Sequence, residues 1–257
     1  MPDGPAPAPV IQKLRVRYSK RGRLRFTSHR DISRAVERAV RRAGIPVAFS
    51  AGFTPHPKIS YAGAAATGTA SEAEYLEIGL TETRDPERVR ADLDAALPDG
   101  IDVIDVVPAR AGTALADRLE ASEWLLRLDG VPSDTAASAV AAFLGSELIE
   151  VERLTKKGRR RFDTRSAVVA LTVEPSDAAP SAVLRMVVRH AIPAVRPDDV
   201  LTGLRQVADL APPSPPLVTR LAQGPLDGHG VIADPLDPDR DPEVTTGAGT
   251  GQDAVGA

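Results

Sequence analysis

The sequence predicts an α+β protein with two ferredoxin-like (split βαβ) sandwich lobes, each with an antiparallel sheet, followed by a disordered C-terminal tail. Three observations support this fold class. Short segments with alternating apolar residues, typical of half-buried strands, are interspersed with segments that have helical apolar spacing. The order of these segments in residues 12–110 is repeated in residues 122–211. From residue 212 the chain is rich in proline, glycine and aspartate and loses its periodicity.

A basic β-hairpin is predicted at the start of the first lobe. Apolar and polar residues alternate from Lys13 to Ser19 and again from Arg23 to Thr27, and Lys20-Arg21-Gly22 supplies a turn. A period of two sends the two sets of side chains to opposite faces. We therefore expect a cationic ladder on the solvent face, which repels itself unless an anion binds to it. Its members are Arg15, Arg17, Arg23 and Arg25.

A basic amphipathic helix should follow this hairpin. Ser28 is a suitable N-cap, Asp31 occupies the third helical position, and apolar residues recur at helical spacing until Gly44 ends the pattern. The arginines off the apolar stripe enlarge the basic surface: Arg30, Arg34, Arg38, Arg41 and Arg42. The free N–H groups of the first helical turn attract phosphate, so one interpretation is that His29 and its neighbours contact a phosphate. The alternative is that Ser28 only caps the helix.

The other elements follow from the same patterns. In the first lobe we expect strands at 47–50, 59–65, 75–80 and 101–107 and a helix from Asp85 to Leu97. In the second lobe we expect a strand at 123–128, a helix at 133–144, a hairpin at 148–173, a strand at 182–189 and a helix at 197–209.

The segments outside the lobes have weaker patterns. Residues 1–11 are predicted to be disordered, and residues 111–121 to connect the lobes. Residues 212–257 are predicted to form a mostly disordered tail, because their composition buries too little apolar surface to offset the entropy of ordering. Within this tail, residues 217–226 are apolar enough to dock as a strand.

A loop over residues 49–60 is the most distinctive local feature. Its prolines stiffen the backbone around a histidine, and loops held in this way often bind a substrate or partner. The residues expected to contact a nucleotide or a protein partner are Phe53, Pro55, His56, Pro57 and Ser60, with Lys58 as a further cation for nucleic acid.

An enzyme would use His29 or His56 as a general base. Asp31, Glu74 or Lys58 would then orient the imidazole or act as an electrophile. The alternative is that the prolines around His56 only make the loop stiff, and no catalytic assignment is firm.

Composition excludes several classes of site. The chain has no cysteine, which removes disulfides, thiolate nucleophiles and an iron–sulfur cluster held by its own thiolates. Its four histidines are scattered without metal-ligand spacing, so we expect no metal. Neither a dinucleotide fingerprint nor a phosphate-binding loop occurs, so we expect no cofactor. Without an apolar membrane-spanning segment or signal segment, a cytoplasmic protein without membrane contact is expected.

Charge is distributed unevenly along the chain. The formal net charge is only −3, but twelve Lys and Arg residues lie between Lys13 and Arg42, against Asp31 and Glu37. Between Asp227 and Asp253, seven carboxylates stand against one arginine. This pattern suggests a polyanionic partner that the acidic tail mimics. Because aromatic residues make up only 4% of the chain, recognition of RNA through its backbone is favoured over reading of unpaired bases.

Three stretches together resemble one bacterial family. Residues 25–31 (RFTSHRD), 38–46 (RAVRRAGIP) and 50–60 (SAGFTPHPKIS) are similar to the radical SAM-linked protein family, a domain of unknown function, over about residues 12 to 225. The resemblance implies a link to a B12-binding radical SAM protein, encoded beside or fused to the domain, often near an RNase E/G-type gene. Since this chain has no cysteine, it would serve a separate radical SAM protein.

Three hypotheses therefore stand. The first is an uncharacterised accessory protein that binds RNA through Arg15, Arg17, Arg23, Arg25, Arg30, Arg34, Arg38 and Lys58. The second is a protein-interaction subunit of a radical SAM enzyme without RNA contact. The third is an RNA-modifying or RNA-processing enzyme that depends on His29 or His56.

Overall fold

A computed structural model describes residues 7–155, 158–175 and 180–240 of the chain. These residues form a mixed α+β fold with a large, mostly antiparallel sheet and four helices. The strands are β1 (Gln12–Lys20), β2 (Ile59–Ala62), β3 (Ala70–Leu80), β4 (Val103–Pro108), β5 (Ala121–Asp129), β6 (Glu150–Thr155), β7 (Gly158–Asp163), β8 (Val168–Glu174), β9 (Ser181–Arg189) and β10 (Leu217–Gly224). The helices are α1 (His29–Arg42), α2 (Pro86–Ala96), α3 (Ser133–Gly145) and α4 (Pro197–Ala208).

One eight-stranded sheet runs through both halves of the chain. Its order is β4-β1-β3-β10-β5-β9-β8, with β2 paired to β3, while β6 and β7 form a separate hairpin. Neighbouring strands are antiparallel except β10 and β3, which are parallel over a short stretch that begins at Thr219 and Ala70. The sheet is therefore continuous where the two halves meet.

Each half has its own apolar core on the helix side of the sheet. In the first half, Leu14 and Val16 of β1 pack with Ile32 and Val36 of α1. In the second half, Leu126 of β5 packs in the cluster that α3 and α4 also line. Alternation along the strands, as predicted, sends these residues to the side that the helices cover.

Local signals placed the helices correctly. Ser28 caps α1, since its Oγ accepts the N–H of Asp31 at 3.3 Å. Gly44 follows with a φ of +64°, a left-handed conformation that glycine adopts without strain. Asp85 caps α2 in the same way, by accepting the N–H of Arg88.

The predicted basic hairpin is wrong in its second half. Residues Gly22–Phe26 form a 3-10 helix instead of a strand. The partner strands of β1 are β3 and β4, so β1 lies inside the sheet and not in an exposed hairpin. The expected ladder of Arg15, Arg17, Arg23 and Arg25 therefore does not exist.

The disordered tail expected over 212–257 is contradicted for residues 212–240, and residues 241–257 lie outside the described residues. Residues 217–224 form β10, as their apolar character suggested, and pair with β5 from Leu217 to Gly224. The boundary predicted at residue 211 would thus separate β5 from one of its neighbours. Residues 225–240, here called the C-terminal strap, pack across the sheet face opposite the helices.

The strap gives that opposite face a small core of its own. Leu236 is fully buried with Tyr75 of β3, Val107 of β4 and Leu115, which lies in a 3-10 helix of the predicted connector 111–121. Apolar burial therefore explains why an aspartate-rich segment is ordered.

At the N-terminus, the segment expected to be disordered over 1–11 is ordered at its end. Ile11 donates its N–H to the carbonyl of Leu80 at 2.8 Å, and residues 1–6 lie outside the described residues. No helix in the described part of the chain is both long enough and apolar enough to span a bilayer.

Candidate functional site

A cavity of about 530 Å³ lies where the two halves of the sheet meet, and we call it the central cleft. Its floor consists of side chains from β5, β9 and β10, and its walls are the loops 63–69 and 190–198. The lining residues that carry polar or aromatic groups are Thr69, Ser122, Trp124, His190, Arg196, Asp198, Arg220 and Gln223.

Strand alternation explains the position of the floor. Ser122, Trp124 and Leu126 point to the same side of β5, because successive side chains alternate. Helices α3 and α4 cover Leu126, but they leave the Ser122 end of the strand open. Opposite Ser122 and Trp124 in the register lie Gln223 and Arg220 of β10, which complete the floor.

The first wall is fixed by three polar side chains that reach the backbone of the loop 63–69. Lys20 Nζ donates to the carbonyls of Ala65 and Ala66, both at 3.2 Å. The carboxylate of Glu74 accepts the N–H of Ala65 at 3.1 Å, and Gln223 donates to the carbonyl of Gly63 at 3.1 Å. The loop is thus held against the sheet, and its small side chains leave the cleft open.

A buried ionic network underlies this wall. Lys20, Glu74 and Arg220 are 3%, 3% and 4% exposed, and Arg220 forms an ion pair with Glu74. Burial lowers the pKa of Lys20, although the nearby Glu74 charge acts in the opposite direction. Arg220 also donates to Ser71 Oγ and to Gln223 Oε1, each at 3.2 Å.

A serine–histidine pair joins the cleft floor to its second wall. His190 Nδ1 is 2.6 Å from the carbonyl oxygen of Leu119, and its Nε2 is 2.7 Å from Ser122 Oγ. A carbonyl can only accept, so Nδ1 carries the proton and Nε2 accepts the hydroxyl of Ser122. Burial lowers the pKa of His190, while the hydrogen bond to Leu119 acts against this shift. The ring is therefore a neutral acceptor that holds the hydroxyl of Ser122, a residue that is 1% exposed.

The second wall is anchored from outside the sheet. Arg153 of β6 donates to the carbonyl of Ala194 at 3.1 Å and forms an ion pair with Asp199 at 2.6 Å. The same carboxylate accepts the N–H of Arg196 at the start of α4. Ile192 lies between His190 and Ala194, which both line the cleft, and is 95% exposed at its margin.

Helix α1 carries a second candidate site, an arginine stripe on its solvent side. Its five members are exposed: Arg30, Arg34, Arg38, Arg41 and Arg42. Arg34 lies 3.6 Å from Asp31, whereas no carboxylate among the described residues lies within ion-pair distance of the other four. The stripe is therefore a concentrated and largely uncompensated positive surface.

The predicted phosphate ligands on β1 do not belong to this surface. Arg15 is 3% exposed and pairs with Asp239 of the strap at 2.6 Å and with Glu77 at 2.9 Å. Arg17 is half-buried and donates to the carbonyl of Glu72, with Asp234 at 3.8 Å. These guanidinium groups are neutralised by the protein, so their assignment as phosphate ligands is corrected.

The other predicted cations are placed differently. Arg23 is exposed in the 3-10 helix, and the Arg25 guanidinium lies 4.7 Å from the centre of the Phe26 ring. The carbonyl of Arg25 accepts the N–H of Gly68 at 2.7 Å, which places this 3-10 helix beside the first wall of the cleft. Lys58 is exposed at the base of the His56 loop, near β2.

The His56 loop projects from the sheet. Phe53 is 95% exposed at its tip. At its base, Ser50 and His56 exchange two hydrogen bonds, from Ser50 N–H to the His56 carbonyl at 2.8 Å and from His56 N–H to Ser50 Oγ at 3.0 Å. Pro55 is exposed, and Pro57 bridges to Phe49.

The two candidate catalytic histidines lie in different surroundings. His29 is exposed in the first turn of α1, where its ring meets the edge of Tyr61 at 5.0 Å. Within the described residues, neither His29 nor His56 has a side-chain hydrogen bond to Asp31, Glu74 or Lys58. Glu74 instead serves the ionic network beneath the cleft wall.

Comparison with known proteins identifies the family. Residues 13–197 match the family described as "Uncharacterized protein conserved in bacteria (DUF2344)". The chain belongs to this family. The match includes the arginine stripe, the His56 loop and His190, and ends at Pro197, before Arg220 and Gln223 of the cleft floor.

Curated proteins and solved structures add little to this family assignment. No curated protein matches the chain. Among solved structures, a chain in the "Crystal Structure of a Cbf5-Nop10-Gar1 Complex" is similar, with 12% sequence identity and a TM-score of 0.42. The alignment covers 87% of this chain and 54% of that chain, so this chain spans about half the length of its structural neighbour.

Sequence patterns did not predict the cleft. Ser122, Trp124, His190 and Arg220 lie in separate strands and loops, and no short motif joins them. One local signal was present, because Ser122, Trp124 and Arg220 put polar or aromatic groups at strand positions that face the helix side of the sheet. Among the described residues, no three carboxylate or histidine side chains come together as in a metal site.

Proposed function

We propose that this protein is a cytoplasmic, RNA-binding accessory protein of bacteria that contacts RNA phosphates through the arginine stripe of α1. The observation that carries the proposal is the absence of carboxylate partners, among the described residues, for Arg30, Arg38, Arg41 and Arg42. Arginines that face carboxylates, such as Arg15, are already neutralised and gain little from an anion. The stripe has no such compensation and attracts a polyanion.

The dimensions of the stripe suit a nucleic-acid backbone. Arg30, Arg34, Arg38 and Arg41 follow at intervals of four, four and three residues, which places them on one side of an α-helix. From Arg30 to Arg42 the helix rises by about 18 Å, enough to reach several successive phosphates. Because these contacts go to the backbone, we expect affinity without strong sequence preference.

Filter binding across a salt series tests the proposal. The variant Arg34→Gln/Arg38→Gln/Arg41→Gln removes three charges from the stripe. Its matched control, Arg84→Gln/Arg88→Gln/Arg90→Gln, removes three exposed charges that pair with Glu82, Asp92 and Glu87. We expect the stripe variant to bind a folded RNA more weakly and with a salt slope reduced by roughly two to three units, since each lost phosphate contact removes nearly one released counterion.

Two outcomes would contradict the proposal. One is wild-type protein that binds no RNA at low salt, and the other is equal weakening by the stripe variant and its control. Thermal unfolding of all three proteins should be similar, because the substituted side chains are exposed and surface changes of this kind alter stability little.

A second candidate function is suggested by Phe53, whose ring is 95% exposed at the tip of the His56 loop. An aromatic side chain held outward on a closed loop is typical of a contact with a protein partner. The family resemblance favours a separate radical SAM protein as that partner. Co-purification of the two proteins should be lost with Phe53→Ser and retained with Val231→Ser, which changes another exposed apolar residue, 60% exposed on the strap.

We also infer that each half of the chain is a split βαβ unit. The order β4-β1-β3-β2 in the first half and β10-β5-β9-β8 in the second supports this inference, because both follow the β-α-β-β-α-β connection of a ferredoxin-like sandwich. In the second half, β6 and β7 are then an insertion, and β10 is the fourth strand.

A further inference from the structure

We propose that the central cleft binds the base of one unstacked nucleotide of the RNA, as an uncharged planar ring. The identity of the polymer rests on the proposed function, whereas binding of the ring rests on the cleft itself. Single-stranded or distorted RNA can present such a base, and proteins hold it by stacking and by hydrogen bonds to its edge.

The size of the cleft agrees with this ligand. Its volume of about 530 Å³ is within the range of roughly 300–1,000 Å³ that small-molecule pockets usually have. Ala64, Ala65 and Ala66 line the first wall, and Val188 and Val218 line the floor. These small and apolar groups provide an open, partly apolar space that a planar ring can enter.

The charge balance of the floor favours a neutral ligand. Arg220 is compensated by direct contact with Glu74, and the Lys20 ammonium is directed to the carbonyls of Ala65 and Ala66. A phosphate on the floor would lose its hydration without meeting a free cation, which is unfavourable. The exposed Arg196 lies on the second wall, together with the carboxylate of Asp198. Phosphates instead have the arginine stripe outside the cleft.

The second wall offers groups for recognition of a ring. Arg196 and Asp198 are exposed and line the cleft, so N–H donors and a carboxylate can meet the carbonyl and N–H groups on the edge of a base. On the floor, Arg220 and Ser122 are 4% and 1% exposed, and the Arg220 guanidinium lies 5.5 Å from the centre of the Trp124 ring. Trp124 is partly exposed beside this guanidinium and gives the cleft an aromatic surface for stacking.

Side chains at the two margins of the cleft are suited to contact the nucleotides on either side of the bound base. The 3-10 helix beside the first wall carries Phe26, 60% exposed, with the Arg25 guanidinium over its ring. On the opposite margin, Ile192 projects from the second wall. An unstacked strand can therefore find apolar and cationic contacts at both margins while its central base lies in the cleft.

The single tryptophan of the chain makes a direct test possible. Protein labelled with 5-fluorotryptophan has one fluorine resonance, which reports on Trp124 alone. We would titrate it separately with uridine, cytidine, adenosine, guanosine and inorganic phosphate. We expect a saturable shift with at least one nucleoside and none with phosphate.

A variant that fills the cleft provides the control. Ala66→Phe adds a large side chain at an exposed position of the first wall, and Ala95→Phe makes the same change at an exposed position of α2, outside the residues that line the cleft. The nucleoside-dependent shift should be lost with Ala66→Phe and retained with Ala95→Phe. RNA binding by Ala66→Phe should keep the wild-type salt slope, because the arginine stripe is unchanged.

The outcomes separate the two proposals. No nucleoside-dependent shift, or an equal shift in Ala66→Phe, overturns binding in the cleft even if RNA binds through α1. A shift with nucleosides but no RNA binding by wild-type protein overturns the proposed function and supports the cleft as a small-molecule site. A shift with inorganic phosphate alone contradicts the neutral ligand and with it the proposal.

Discussion

Asp239 is the residue on which two buried arginines depend. Its carboxylate, 2% exposed, accepts from Arg15 at 2.6 Å and from Arg118 at 2.6 Å. Burial alone would raise the pKa of Asp239, but the hydrogen bonds from Arg118 and Arg15 outweigh it and lower the pKa. A carboxylate of the strap thus neutralises Arg15 within the fold, and the mimicry of a polyanion by the acidic tail stays a prediction.

We predict that Asp239→Asn reduces the free energy of unfolding by about 3–5 kcal/mol, because it leaves two buried guanidinium groups without their carboxylate. The control is Asp237→Asn, which changes a side chain that is 62% exposed and pairs with Arg240. We expect this control to lose less than about 1 kcal/mol. Urea unfolding measures both, and similar losses would mean that the buried triad does not secure the strap.

His190 should make stability depend on pH. Its pKa is lowered in the folded protein, so between the folded pKa and the unfolded value of about 6.5 the unfolded chain binds more protons. The contribution of neutral His190 to the free energy of unfolding is therefore complete above about pH 6.5 and decreases as the pH falls below this value. In His190→Gln, urea midpoints should change less across this interval than in wild type. A slope in His190→Gln equal to that of wild type would contradict the assignment.

The ion pair between Arg15 and Asp239 also explains why the position of Arg15 was predicted wrongly from the sequence. The alternation around Arg15 identified a strand correctly, but it could not identify what covers the other face of that strand. The partner of Arg15 is 224 residues away, in a segment whose composition suggested disorder. Charge pairs at such separations leave no local pattern in the sequence.

At the scale of elements, the predicted helices agree with the structure to within a few residues, because caps such as Ser28 and Asp85 are local signals. The 3-10 helix at Gly22–Phe26 was missed, since five residues with two apolar positions fit a short strand equally well. The sequence predicted β10 only as a segment able to dock as a strand. Nothing in the proline-rich residues before it indicated which strands would pair with it.

The contact between β10 and the strap is tight at Gly224. A Cβ at this position would lie 2.1 Å from the carbonyl oxygen of Ala233 and 3.0 Å from Pro235. We predict that Gly224→Ala displaces the strap, lowers the unfolding midpoint in urea and makes residues 225–240 accessible to protease. Gly228→Ala lies in the same strap with nothing within 4 Å of its Cβ and should behave like wild type. Equal protease sensitivity of the two variants would show that the strap tolerates the added methyl group.

At the scale of the whole molecule, the cleft forms only where the two halves of the chain pack together. Its floor consists of β5, β9 and β10 of the second half, and its first wall comes from the first half, fixed by Lys20 and Glu74. Neither half alone encloses the cavity, which is why periodicity and spacing within a segment did not predict it. The arginine stripe, by contrast, depends on one helix and was predicted residue by residue.

Strand β10 should therefore decide whether the two halves fold as one sheet. A chain that ends at residue 211 loses β10 and the strap. This leaves edges of β3 and β5 without a neighbour, Glu74 buried without Arg220, and Arg15 buried without Asp239. Unpaired sheet edges favour aggregation, and an unpaired buried charge is strongly destabilising. We expect this chain to aggregate or to unfold at a much lower temperature, whereas a chain that ends at residue 240 keeps every contact described above and serves as the control. If the 211-residue chain stayed monomeric with the thermal stability of its control, β10 would be an accessory strand and the two halves would be stable without the joint that forms the cleft.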